Sequence, residues 1–143
     1  MKVADLRYAD IKEGEIHQFT KKITHDDILK FAYLTGDFNP LHVDKEFGKK
    51  SQFKQNIVHG MLAGSLFSTL VGMYCPGKRS LYLSQTLNFK IPLFCDDTVT
   101  VKGTIIAKND VFLLITLKTE IIKEGKVCIN GEAKIKVLED YNG

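Results

Sequence analysis

A carboxylate and an imidazole stand five positions apart in the stretch GDFNPLH, residues 36–42. Asp37 and His42 could move a proton to and from a substrate, because positioned carboxylates and imidazoles are the usual agents of general acid–base catalysis. The stretch also has a plainer reading. Gly, Asp, Asn and Pro are the commonest turn residues, so the segment could simply stop a helix. Residue types alone leave both readings open.

The neighbouring elements decide how firmly such a pair is held. Thr24 offers an N-cap oxygen, and Asp26 and Asp27 fall in the first turn, where negative charge suits the helix dipole. Ile28, Leu29, Phe31, Ala32 and Leu34 repeat at helical spacing. Gly36 suits the left-handed residue just past the helix end. Asp37 therefore follows directly on a helix terminus. Pro40 keeps regular helix from resuming at once. The polar run DKEFGKKSQFKQN (44–56) predicts a turn of helix and then loop.

A second helix is expected to begin near Ile57–Gly60 and to run to about Met73. From Gln55 to Gly77 there is no Asp, Glu, Lys or Arg. A membrane span needs about 20 predominantly apolar residues. Gln55, Asn56, His59, Ser65, Ser68 and Thr69 point instead to a helix buried inside a soluble protein. Gly60, Ala63, Gly64, Ser65 and Ser68 keep it thin. A glycine costs up to about 1 kcal/mol in a helix interior, which makes sense where a sheet or a ligand approaches the backbone. His59, at the helix start, could touch a ligand. A hydrogen bond that shapes the loop is the favoured reading.

EIHQFTKKI (15–23) alternates and predicts a first strand. SLYLSQTLNFKI (80–91), DTVTVKGTIIAK (97–108), VFLLITLKTEIIK (111–123) and KVCINGEAKIKVLE (126–139) predict four more, with tight turns at Asn109-Asp110 and Glu124-Gly125. Consecutive hairpins imply an antiparallel meander. Strand, helix, buried helix, then four strands is an α+β order. A chain of 143 residues predicts one domain over 1–143.

Lys and Arg number 20 against 17 Asp and Glu, interspersed along the chain. Nucleic-acid binding needs clustered basic residues, so none is expected. Cys75, Cys95 and Cys128 form no CxxC and are odd in number, which predicts neither a zinc site nor a disulfide framework. Cys75 and Cys95 read as small hydrophobes. The opening MKVADLRYADIKEGE has no apolar run, so it does not read as a signal peptide. A cytosolic protein with reduced thiols is expected, with no cofactor, no metal and no membrane partner. His17 and His25, without a motif around them, read as surface residues.

GDFNPLHVD (36–44), IVHGML (57–62) and YLSQTLNFKIPLF (82–94) together resemble the MaoC-like hydratases, and among them the small (R)-specific enoyl-CoA hydratases. The resemblance runs from about Thr24 to Val137. It implies a hot-dog fold, a long buried helix wrapped by a curved antiparallel sheet. It implies reversible hydration of a trans-2-enoyl-CoA to the (R)-3-hydroxyacyl-CoA. Asp37 and His42 would hold the catalytic water, Asn39 would orient them, and the Gly60 N–H would receive the negative charge on the thioester oxygen. Gly60 also stands where unpaired N–H groups and the positive dipole end of a helix are found. Which of Asp37 and His42 is base and which is acid stays open.

The resemblance also implies that Ser68 and Val71 line the acyl pocket. Lys134 falls where the family often has an apolar residue near that pocket, and the expected acyl chain is short. Long edge strands need pairing, and hot-dog domains usually pair as homodimers. Three rival readings remain. An acyl-carrier-protein dehydratase runs the same chemistry in reverse, but its usual histidine and glutamate lie on different segments. A hot-dog thioesterase aims water at the thioester carbonyl. A non-catalytic acyl-thioester binding module would need neither Asp37 nor His42.

Overall fold

Alternation of half-buried and exposed positions marks the first strand, β1, over Ile16–Lys22. Thr24 then starts the helix α1, His25–Thr35, through a reciprocal capping box. Thr24 Oγ1 accepts from the Asp27 N–H, and the Asp27 carboxylate accepts from the Thr24 N–H. Gly36 ends α1 in the left-handed region at φ 82°. Two short helices follow, α2 over Pro40–Val43 and α3 over Lys45–Lys50. The buried helix, α4, runs over Gly60–Thr69 and continues through a π-helical turn at Leu70–Tyr74. The remaining strands are β2 (Ser80–Gln85), β3 (Asn88–Phe89), β4 (Thr98–Asn109), β5 (Leu114–Lys123) and β6 (Lys126–Val137). The computed structural model describes residues 1–140. The last three positions of the expected 1–143 domain lie outside the described residues.

All six strands share one antiparallel sheet in the order β1-β4-β5-β6-β2, with β3 also on β6. The sheet wraps α4. Ala63, Phe67 and Leu70 pack on Val99, Val101, Ile121 and Ile129. Val71 and Cys75 pack on Ile105, Leu117, Ala133 and Ile135. Gly103 on β4 admits the helix closely, since a Cβ there would stand 2.8 Å from Leu70 Cδ2. This is the hot-dog arrangement. Among the described residues no helix is long and apolar enough to cross a membrane.

Four expectations need correction. The stretch 80–91 is not one strand: it breaks at Thr86–Leu87 into β2 and β3. The meander covers only β4, β5 and β6, and β2 closes onto β6 rather than leading into β4. The β4–β5 reversal is wider than Asn109-Asp110, because β5 begins only at Leu114, after Leu113 at φ 54°. His17 is half-buried rather than a surface residue, with Nε2 3.4 Å from Glu15.

Candidate active site

Gly36 stops α1 one residue before Asp37, so the carboxylate leaves a rigid element almost at once. Asp37 Oδ1 accepts the Asn39 N–H at 3.1 Å. Asn39 in turn caps α2, its Oδ1 accepting the Leu41 N–H at 2.9 Å. One residue thus joins the segment bearing Asp37 to the helix bearing His42. Half of the Asp37 side chain (49%) remains open to solvent, so it can meet a substrate or a water.

His42 sits on a helix of only four residues, which needs outside support to hold its place. Asn56 supplies it. The Asn56 Nδ2 lies 3.2 Å from Pro40 O, 2.9 Å from Leu41 O and 2.8 Å from Asp44 O. The His42 ring is fixed by Nδ1, 2.8 Å from Ile57 O. A carbonyl can only accept, so in the neutral ring Nδ1 carries the proton and Nε2 carries the lone pair. This tautomer is the one that can take a proton through Nε2.

His59 is 2% exposed. Its Nε2 donates to the Asp37 carbonyl at 3.0 Å and lies 4.0 Å from Asp37 Oδ2. Its ring stacks on His42 with centroids 4.0 Å apart and 30° between planes. Asp37, His42 and His59 each bring one polar atom within 4.8 Å of the others. Two of the four ring nitrogens, His42 Nδ1 and His59 Nε2, are taken by backbone carbonyls. A single water spans acceptors about 4.5 Å apart, which is the separation of two hydrogen bonds at a tetrahedral angle.

Gly60 is the first residue of α4, so its N–H has no intrahelical acceptor, and the His59 side chain does not cap it. A Cβ at Gly60 would stand 2.9 Å from Phe89 Cε1, so the glycine admits the Phe89 ring. Two cavities flank these groups. One, of about 340 Å³, is lined by His42, Gly60, Phe53, Phe89 and Lys90. The other, of about 670 Å³, is lined by Asp37, Gly64, Ser68, Tyr82, Gln85 and Leu87. Asp37 faces one cavity and His42 the other, so the pair stands between them.

Asp37, Asn39, His42, His59 and Gly60 are therefore brought together. Ser68 lines the second cavity. Val71 lines neither cavity and is buried in the core. His59 also lines neither cavity. Lys134 is exposed, between the buried Ala133 and Ile135, so it faces away from α4.

Sequence reasoning does not reach Asn56, Tyr82 or Gln85. Asn56 sits three residues before His59, and its position just ahead of IVHGML is the only clue to it. The Tyr82 hydroxyl donates to Gln85 Oε1, and Gln85 Nε2 donates to the fully buried Thr119 Oγ1 at 2.9 Å. Desolvation pushes the Tyr82 phenol up to about 12.

Replacing Asn56 by Ala is expected to destabilise the protein by about 1–3 kcal/mol, since three carbonyls lose a donor. The urea midpoint should fall at an unchanged m-value. A wild-type midpoint would mean that α2 stands without the brace.

The sequence model described as the MaoC like domain matches residues 9–132. The chain is 40% identical over 128 residues to an (R)-specific enoyl-CoA hydratase of Aeromonas caviae, covering 89% of this chain and 96% of that protein. It is 38% identical over 130 residues to the (R)-specific enoyl-CoA hydratase of Rhodospirillum rubrum, covering 91% and 90%. An R-hydratase of Pseudomonas aeruginosa, solved without ligand, superposes with a TM-score of 0.91 at 33% identity, over 96% of this chain and 89% of that one. The protein belongs to the MaoC-like domain family.

Proposed function

We propose that the protein adds water reversibly to a trans-2-enoyl-CoA, giving the (R)-3-hydroxyacyl-CoA. One observation carries this reading. Asp37 and His42 each bring one polar atom within 4.8 Å of the other, the Ile57 carbonyl takes His42 Nδ1 and leaves Nε2 for a water, and the Gly60 N–H at the start of α4 has no intrahelical acceptor. The water donates to both acceptors, and its oxygen attacks the β-carbon. The released proton passes to one acceptor and a proton returns to the α-carbon, so no net charge changes. The Gly60 N–H, at the positive end of α4, holds the negative charge that develops on the thioester oxygen. Asn39 keeps the two acceptors in register.

In this reading the acyl chain enters the cavity with Ser68, and the pantetheine arm leaves through the cavity with Lys90. Among the described residues Lys90 is the one lysine lining that cavity, and it faces the phosphates of coenzyme A. Lys90→Ala should raise KM for crotonyl-CoA about 3–10-fold at unchanged kcat, equivalent to roughly 1 kcal/mol of binding. KM for crotonyl-pantetheine, which lacks phosphate, should not move. Equal effects on both substrates would remove Lys90 from the carrier site. The active form is a homodimer. Leu81 and Leu83 are exposed on the edge strand β2, and pairing with a second copy covers them. Light scattering should then report twice 16.1 kDa.

The deciding experiment follows the conjugated-thioester absorbance of crotonyl-CoA, with product handedness read by an (R)-specific dehydrogenase. Loss of absorbance with an (R) product supports the proposal. Release of free thiol would make the protein a thioesterase. Binding without turnover would make it an acyl-thioester binding module.

A further inference from the structure

We infer that His59 is a positioning residue, holding Asp37 by its backbone and bracing the His42 ring without touching substrate. The inference rests on the hydration reading above.

The Nε2 of His59 faces a carbonyl, which only accepts, so Nε2 carries the proton and Nδ1 is left with the lone pair. That Nδ1 is buried and has no hydrogen-bond partner among the described residues. A buried unsatisfied acceptor is costly, and an apolar ring of similar shape would avoid the cost. Core packing alone therefore does not explain an imidazole here.

The contacts of the ring do explain it. Its N–H reaches the Asp37 carbonyl, 22 residues back in the chain. Its ring centroid lies 4.0 Å from that of His42, and the Phe31 ring lies 4.9 Å away. The other polar contacts of Asp37 are local, to Asn39 N–H and Thr35 Oγ1. His59 is the N-cap residue of α4, so it ties an exposed loop to the central helix. It also sits one residue before the Gly60 N–H. A shift of about 1 Å at reacting groups can cost on the order of 10²-fold in rate, so a fixed link between these three groups has kinetic value.

Two variants separate the two contacts. His59→Phe keeps a ring face against His42 and removes the N–H. His59→Gln keeps a donor for the Asp37 carbonyl and removes the ring. With crotonyl-CoA, kcat should fall about 10–100-fold in His59→Phe, with KM within about threefold of wild type. His59→Gln should recover part of that loss. Circular dichroism and the urea midpoint should show both variants folded at assay temperature. Wild-type kcat in both variants, or a loss that merely tracks the unfolded fraction, overturns the inference.

A second readout does not depend on turnover. Long-range proton–nitrogen NMR spectra report imidazole tautomers. Wild type should show His42 protonated at Nδ1 and His59 at Nε2. In His59→Gln the Nδ1–H of the unbraced His42 should exchange faster with solvent, because the ring leaves the Ile57 carbonyl more often, and exchange at the wild-type rate overturns the bracing role. If wild type fails to hydrate crotonyl-CoA, the hydration reading falls, while these spectra still decide what His59 holds.

Discussion

Asp37→Asn should hydrate crotonyl-CoA about 10²–10⁴-fold more slowly than wild type, the range for removal of a positioned proton-transfer group. The substitution keeps the shape. Asparagine retains an oxygen for the Asn39 N–H, and the backbone carbonyl that His59 grips is untouched. It removes the charge and replaces one water acceptor with an NH₂ donor. A water facing that donor turns its oxygen lone pair toward the amide nitrogen and away from the β-carbon, so the loss should appear in kcat. His42→Ala should cost a similar factor by deleting the Nε2 lone pair. The two losses should not add, because both groups act on one water and either deletion leaves it without a second anchor. Single-turnover absorbance loss with crotonyl-CoA, on variants matched to wild type by circular dichroism, measures all three. Fully multiplicative losses in the double variant would show that the residues act in separate steps. Wild-type rates in both single variants would return GDFNPLH to a helix stop.

The motif is legible in the sequence because most of it is local. Thr24, Asp27 and Gly36 mark the ends of α1 by capping chemistry that depends on neighbours in the chain. Asp37, Asn39 and His42 share one segment, and Gly60 is found at a helix start that His59 announces. What stays hidden comes from distant parts of the chain. Nothing near Asn56 shows that its amide will reach three carbonyls of a segment 12 to 16 residues earlier. Lys134 looks relevant to the acyl pocket from its place in the last strand, but the face it occupies depends on strand register. In β6 the neighbours Ala133 and Ile135 take the inner positions. Ser68 and Val71 lie three apart on one helix, yet one lines a cavity and the other is core. Small differences of angle around α4, continued by the π-helical turn from Leu70, separate them.

The break between β2 and β3 is the clearest case, and it yields a prediction of large effect. SLYLSQTLNFKI keeps its alternation across the break, so no residue in it marks a stop. The cause lies on the partner strand at Gly131. Thr86 turns its carbonyl over that glycine, and a Cβ there would stand 1.8 Å from Thr86 O and 2.6 Å from Thr86 C. Thr86 still bonds the partner strand on both sides of the step. Its N–H donates to Glu132 O, and its Oγ1 accepts from the Glu132 N–H, each at 2.9 Å. The crossing delivers Leu87 against Gly64 and Phe89 against Gly60, where each lines one cavity. Gly131→Ala meets backbone that has no rotamer to yield. We expect a loss at or above the upper end of the usual overpacking range, about 3 kcal/mol, read from the urea midpoint. Displacement of Leu87 and Phe89 should also raise KM for crotonyl-CoA. Gly72→Ala is the matched control, because nothing lies within 4 Å of a Cβ at that helical position. It should be neutral or gain up to about 1 kcal/mol. If Gly131→Ala unfolds at the wild-type midpoint with unchanged KM, the close crossing at Thr86 is not what shapes the two cavities.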